Sequence, residues 1–309
     1  MSSRSVIAGV DGSAESLAAA AWAAREARRL ALPLRILHAR QEGTPAFVHS
    51  AFRSAGTAPA GTALTRWSGG RVRREITDRL RQADPALDVT VEEALGHPAR
   101  VLLSAAGQAE VLVLGSRGLG AVGGFLSGSV SLPVIAHAER PVVVVPAGER
   151  SGGGPRRGAG AECPPARGTD VVLGLDLARP CDELLAYAFD AAAMRKAILR
   201  VIHGRSAAAA DGQGPAALRP RGGVARAGGD TPSLADALRP WRGTHPGVRV
   251  VGQCVVGRPA AHLAEASKDA SLLIVGRRVR QAALGPHIGP VAHAVLRNSA
   301  APVAVVPHP

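Results

Sequence analysis

Cysteine is scarce: Cys163, Cys181 and Cys254 are an odd number, far apart, with no partner at metal-ligand spacing. A disulfide framework and a structural zinc site are excluded as readings, and a reducing compartment fits. Aromatic residues make up only 3% of the chain, which leaves little for stacking single-stranded bases. No apolar run approaches the roughly 18 residues of a membrane span, and Met1-Ser2-Ser3-Arg4 leads directly into strand-like sequence without the apolar stretch of a signal peptide. The expectation is a soluble cytoplasmic protein with no membrane partner.

Lysine is nearly absent too. Only Lys196 and Lys268 occur, so the formal charge of +13 is carried by arginine. Residues 1–147 hold 16 Lys and Arg against 12 Asp and Glu, and residues 148–309 hold 21 against 12. Eight of the latter (Arg150, Arg156, Arg157, Arg167, Arg205, Arg219, Arg221 and Arg226) fall in stretches rich in Gly, Pro and Ala that read as connectors. The excess therefore reads as solvated loops with biased composition, and nucleic acid is not an expected partner.

What is present is an internal repeat, which decides the domain count. "VIAGVDGSAES" (6–16) recurs as "VVLGLDLARPC" (171–181), pairing Asp11 with Asp176 and His38 with His203 at an offset of 165. "GHPA" (96–99), "LVLGSRG" (112–118) and "RPVVVVP" (140–146) recur as "GRPA", "LIVGRRV" and "APVAVVP" at a constant offset of 161. One four-residue length change in the middle loop accounts for the whole register. Two homologous domains follow, 1–147 and 170–309, joined by a linker at 148–169.

Each copy alternates short Val/Ile/Leu runs with amphipathic helical stretches. In the first, strands are expected near 5–10, 34–39, 87–95, 110–115 and 141–146, with helices near 13–30, 69–81, 98–108 and 128–138. This is the pattern of an α/β fold: two tandem doubly wound, mostly parallel five-stranded sheets. In such sheets ligands sit at the carboxyl ends of strands, where the strand order reverses.

The segment "GSRGLGAVGGFLSGSVS" (115–131) follows the fourth strand of the first copy. Gly115 ends the strand, Gly118 permits a turn with positive φ, and Gly128 lets backbone close on a ligand as the next helix opens. Free amides at a helix start suit an anion, Ser129 and Ser131 add hydroxyl donors, and Arg117 can supply a charge-assisted contact. Phosphate is the natural guest. No Gly-Lys-Ser/Thr makes a Walker A loop, and the G-x-G-x-x-G spelled by residues 118–123 follows the fourth strand rather than the first.

The combination of Gly115-x2-Gly118-x9-Gly128-Ser129, Val10-Asp11-Gly12-Ser13 after the first strand, and Arg140-Pro141 before a Val-rich last strand closely resembles the universal stress protein family, as a tandem two-domain member. The resemblance implies an adenine-nucleotide-binding fold in which ATP lies across the ends of the first, second and fourth strands. It implies that Asp11 meets ribose or a phosphate-bound Mg²⁺, that Ala39 meets the adenine through its backbone, that Val10 lines the nucleotide site, and that Gly115, Arg117, Gly118, Gly128, Ser129, Val130 and Ser131 hold phosphates. It also implies pairing of domains through their last strands, within the tandem chain or in a homodimer, and an unidentified protein partner. ATP, ADP and a cyclic nucleotide remain open as ligands.

The second copy keeps Gly276 and Gly289 at the same separation of 13, but Val279 stands for the second glycine and Pro290 for the serine. Each change strikes a phosphate donor, so one nucleotide per chain is expected. Asp11 reads either as ligand or as helix cap, with Ser13 able to cap in its place. His38 and His203 occupy matching positions in both copies and read as structural; His97 reads as a helix-entry residue. No Ser/His/Asp or Cys/His set stands out, so the expectation is a regulatory binding module in stress response rather than an enzyme. Slow ATP hydrolysis and a nucleotide-free scaffold are the alternatives.

Overall fold

The computed structural model describes residues 4–40, 71–116, 130–146, 170–179, 181–205, 233–279 and 288–309. They form two compact units, the first holding the described residues up to 146, the second those of 170–279 and 289–309. The first unit runs β1 (Ser5–Val10), α1 (Ala14–Leu30), β2 (Leu34–Arg40), α2 (Arg71–Ala83), β3 (Val89–Leu95), α3 (Pro98–Gln108), β4 (Ala109–Ser116), α4 (Ser131–His137) and β5 (Val142–Pro146). Its strands are parallel in the order β3-β2-β1-β4-β5.

Continuous apolar strands are what a sheet covered on both faces requires. Every residue of β1 is buried, and so are Val142–Val145 of β5. Ile7, Leu34, Ile36, Leu112 and Ile135 are among the largest fully buried side chains, each worth about 1.5–3 kcal/mol of burial. α1 packs on α2, and α3 on α4. The chain leaves β1 toward β2 and β3, then returns to the other side of β1 for β4 and β5. The reversal lies between β1 and β4, where an open α/β sheet parts to leave a crevice.

The second unit runs β6 (Asp170–Gly174), α5 (Asp182–Arg195), β7 (Leu199–Arg205), α6 (Leu234–Thr244), β8 (Val250–Val256), α7 (Pro259–Ala266) with a 3₁₀ turn (Ser267–Asp269), β9 (Ala270–Arg278), α8 (Pro290–Asn298) and β10 (Val303–His308). Its parallel order is β10-β9-β6-β7-β8, the same topology as the first unit. Among the described residues, no helix is long and apolar enough to cross a membrane.

Among the boundaries that differ from expectation, two fall on residues singled out in the sequence. Arg205 ends β7 rather than belonging to the connector. α4 opens at Ser131, three residues after Gly128, which itself lies outside the described residues.

A third difference separates the two copies. α1 and α5 both end in a left-handed residue at matching positions, Ala31 with φ 51° and Lys196 with φ 50°. Yet α1 has 17 residues and α5 only 14, so α5 lacks the first turn. Arg179 precedes Pro180, and the residue before proline is disfavoured in the helical region; Cys181, extended at φ −133° and ψ 121°, then caps the shortened helix.

Candidate functional site

The carboxyl ends of β1, β2 and β4 bring several of the expected residues together. Val10 is 6% exposed at the end of β1 and pairs with His38 of β2, which places Ala39 one residue beyond. On the other side Gly9 pairs with Leu114, so Val10 and Gly115 leave the sheet as neighbours. Gly115 is followed by Ser116, a buried residue that ends β4.

The turn from β1 into α1 is built by short polar side chains. Gly12 adopts φ 81°, which a residue with a Cβ rarely tolerates. Asp11 Oδ1 accepts from the Ser13 backbone N–H at 3.0 Å and from the Ser13 hydroxyl at 2.6 Å. Ser13 is the N-cap of α1, its Oγ accepting from the Ser16 N–H at 3.2 Å. Ser16 donates its own hydroxyl to the Ser13 carbonyl at 2.9 Å and accepts from the Asp11 N–H at 3.3 Å. Capping therefore falls to Ser13, while Asp11 is an exposed carboxylate oriented by it at the strand end.

Gly115 has a packing reason that spacing alone did not reveal. A Cβ built there would lie 2.6 Å from the Glu15 carbonyl carbon, 2.7 Å from its oxygen and 2.8 Å from the Ser16 nitrogen. The first turn of α1 thus rests directly on the end of β4. Only a residue without a side chain lets the two backbones come this close.

His38 turns its ring back onto β1, with Nδ1 2.9 Å from the Val10 carbonyl oxygen. His203 repeats the arrangement at 3.0 Å from Leu175 O, so the imidazole is a structural element of both copies. His97 stands at the N-cap position of α3 without a side-chain capping bond.

Val130 is the N-cap of α4 and Ser131 its first residue. Arg117, Gly118, Gly128 and Ser129 lie outside the described residues.

The second unit departs at each of these points. Ala178 still donates its N–H to Asp176 Oδ1 at 3.1 Å, but Leu177, 4% exposed, replaces Gly12. With the first turn of α5 missing, the space over Gly276 is taken by side chains, His308 Nε2 at 2.6 Å and Leu184 at 3.2 Å from a built Cβ. Arg277 is buried, and desolvation pushes its pKa below the usual guanidinium value. The chain does not turn at Val279; its N–H continues the pairing with β10 by donating to His308 O at 2.7 Å. Pro290 occupies the first position of α8, after Gly289 as N-cap, where its missing N–H removes a donor.

The universal stress protein family model matches residues 2–146 and again residues 169–307. The chain belongs to the universal stress protein family. Universal stress protein Rv2005c of Mycobacterium tuberculosis is 30% identical over 310 residues, covering 97% of this chain and 96% of its own. A universal stress protein structure from Archaeoglobus fulgidus shares the fold at TM-score 0.65 and 16% identity, covering 99% of both chains. A universal stress protein crystallised in complex with cAMP is 27% identical and covers 47% of this chain and 97% of its own, at TM-score 0.33.

Proposed function

We propose that the first unit binds one adenine nucleotide, ATP with Mg²⁺, and that the chain is a cytoplasmic regulatory binding module of the stress response whose nucleotide state alters contacts to a protein partner. The observation that carries this reading is the difference between the two copies at the β1–α1 junction. The first copy keeps the glycine turn, the Asp11–Ser13 pair and the helix turn seated on Gly115. The second has lost that turn and filled the space over Gly276 with His308.

In this reading Asp11 faces ribose or the metal, Val10 and Ala39 present backbone to the adenine, and Gly115, Val130 and Ser131 join Arg117, Gly118, Gly128 and Ser129 around the phosphates. The donor set suits a nucleotide-borne ion. Mg²⁺ is usually held by one or two carboxylates together with substrate phosphates, and Asp11 supplies one carboxylate. Among the described residues no group of three or more His, Cys, Asp or Glu is placed to build a protein-only metal site. The phosphates would therefore contribute most of the coordination.

Titration calorimetry of the full chain with ATP, AMP and cAMP, each with and without Mg²⁺, tests the reading. One nucleotide per chain is expected, with binding lost in Gly118→Val and Ser129→Pro, which copy the second unit's residues. Two equal sites per chain, or none for any nucleotide, would overturn it.

A further inference from the structure

At the amino-terminal ends of β7 and β8, away from the strand ends discussed so far, the second unit has a solvent-open surface cavity of about 290 Å³, with Ala193, Lys196 and Arg249 exposed at its rim. Ala193, Ile198 and Val248 supply its apolar lining, and Lys196, His245 and Arg249 its charged or titratable lining. The imidazole of His245 is held in place: Nε2 is 3.2 Å from Asp190 Oδ1, and the ring lies 5.2 Å from that of Phe189 and 6.1 Å from that of Trp241. Among the described residues neither Lys196 nor Arg249 has an acidic partner.

The first unit carries different residues at this place. The same offsets align Ala193 with Arg28, Lys196 with Ala31, His245 with Asp84, Gly247 with Ala86 and Arg249 with Asp88. The turns are the same: Leu87 donates to Asp84 O at 3.2 Å, and Val248 to His245 O at 3.0 Å. In the first unit Arg28 reaches across to Asp84, Nη1 to Oδ2 3.0 Å. In the second the arginine has become alanine, and a Cβ at Gly247 would meet nothing within 4 Å. Both aspartates have been exchanged for His245 and Arg249.

A lysine at a helix end can simply complement the helix dipole. In α1 that role falls to Arg28 and Arg29 of the last turn, and in α5 to Arg195 and Lys196, so Lys196 serves the helix end as well as the cavity. Ala31 caps α1 with the same backbone conformation and the same pair of carbonyl bonds and carries no charge. The exchanges share one direction: they remove a surface ion pair and leave cations at the edge of the cavity.

We propose that this cavity binds a small organic oxyanion, a carboxylate or phosphate carried on a short apolar body. Arg249 offers a planar fork for two oxygens and Lys196 a point charge, while Ala193, Ile198 and Val248 cover the apolar part. The volume lies at the low end for small-molecule pockets, so the guest is a compact one.

The test titrates the full chain with benzoate, phenyl phosphate and inorganic phosphate, followed by calorimetry and by tryptophan fluorescence, with Trp241→Phe assigning the optical signal. Saturable 1:1 binding of benzoate or phenyl phosphate is expected, and whichever binds tighter identifies the headgroup. Inorganic phosphate should bind at least about tenfold more weakly, and Lys196→Ala and Arg249→Ala should each weaken binding about tenfold, as loss of one charge-assisted contact does. The double variant Ala193→Arg with His245→Asp transplants the first unit's ion pair and should abolish binding without unfolding the chain. No saturable binding by any probe, inorganic phosphate binding as tightly as phenyl phosphate, or affinities unchanged in Lys196→Ala and Arg249→Ala would overturn the proposal.

Discussion

His38 reaches from β2 to the carbonyl oxygen of Val10, its register partner on β1, at 2.9 Å. A carbonyl can only accept, so Nδ1 carries the proton and is committed to the fold. His38→Ala should lower stability by about 0.5–1.5 kcal/mol, the usual net worth of one hydrogen bond. His203→Ala should cost a similar amount through Leu175. Thermal melts of both variants check this. A His38→Ala protein with an unchanged midpoint would remove the structural role, whereas one that melts early but still binds nucleotide would support it.

Gly115 and Gly276 occupy matching positions but face different obstacles. A methyl at Gly115 meets backbone atoms of Glu15 and Ser16, which can yield only if α1 lifts from the sheet. A methyl at Gly276 meets the His308 ring and a Leu184 methyl, side chains that can rotate away. Gly115→Ala should therefore destabilise by about 1–3 kcal/mol, the range for overpacking, and Gly276→Ala by less. Gly115→Ala should also weaken nucleotide binding, because the displaced turn carries Ser13. Denaturant midpoints and calorimetry on the pair would reveal any reversal of that order.

Ser13 joins two roles that a single substitution confuses. Ser13→Ala removes the cap of α1, at about 0.5–2 kcal/mol, and also the hydroxyl that orients Asp11. Ser13→Asp keeps a capping oxygen but places a second carboxylate beside Asp11. The alanine variant should melt early; the aspartate variant should regain most of the stability yet bind ATP several-fold more weakly when Mg²⁺ is withheld. Equal ATP affinity in Ser13→Asp and the wild type without metal would argue against Asp11 facing the nucleotide-borne metal.

The alternation of apolar strands and helices, and the two constant offsets, were enough to read both sheets, because a strand covered on both faces is apolar at every position. Ser13 as cap and His38 as a structural group were also legible, the first from N-cap chemistry and the second from its repetition in a copy with a degraded loop. The close approach of α1 to Gly115 was not. It depends on where Glu15 lies in space, 100 residues away in sequence, which glycine spacing does not report. The shortened α5 had a visible signal in Arg179-Pro180, but proline is also welcome in a first helical turn, so the dipeptide alone does not fix the start. The cations around Ala193 were hidden for another reason. Lys196 and Arg249 are separated by 52 intervening residues, and only two helix ends and two turns bring them to one cavity.

Arg35 and Glu92 form a forked pair between β2 and β3, Nε to Oε1 at 3.1 Å and Nη2 to Oε2 at 2.8 Å. Glu92 stands diagonally across from Arg35, opposite Leu37. The guanidinium holds the Glu92 carboxyl below the usual carboxylate range, chiefly through the hydrogen bonds. A carboxyl whose pKa is depressed by folding stabilises the folded state above its unfolded pKa, and that contribution fades as pH falls toward the folded value. Both side chains are about a third exposed, at 29% and 38%, so the contribution is that of a screened surface pair, about 0.5–1 kcal/mol at most. Glu92→Gln should be less stable than the wild type near neutral pH, and the gap should close as pH drops through the carboxylate range toward about 3. It should also shrink in 1 M salt, where the screening length falls to about 3 Å. Denaturant melts of the two proteins across that pH range measure it; a gap that stays constant to low pH would assign the difference to packing of the Glu92 stem rather than to its charge.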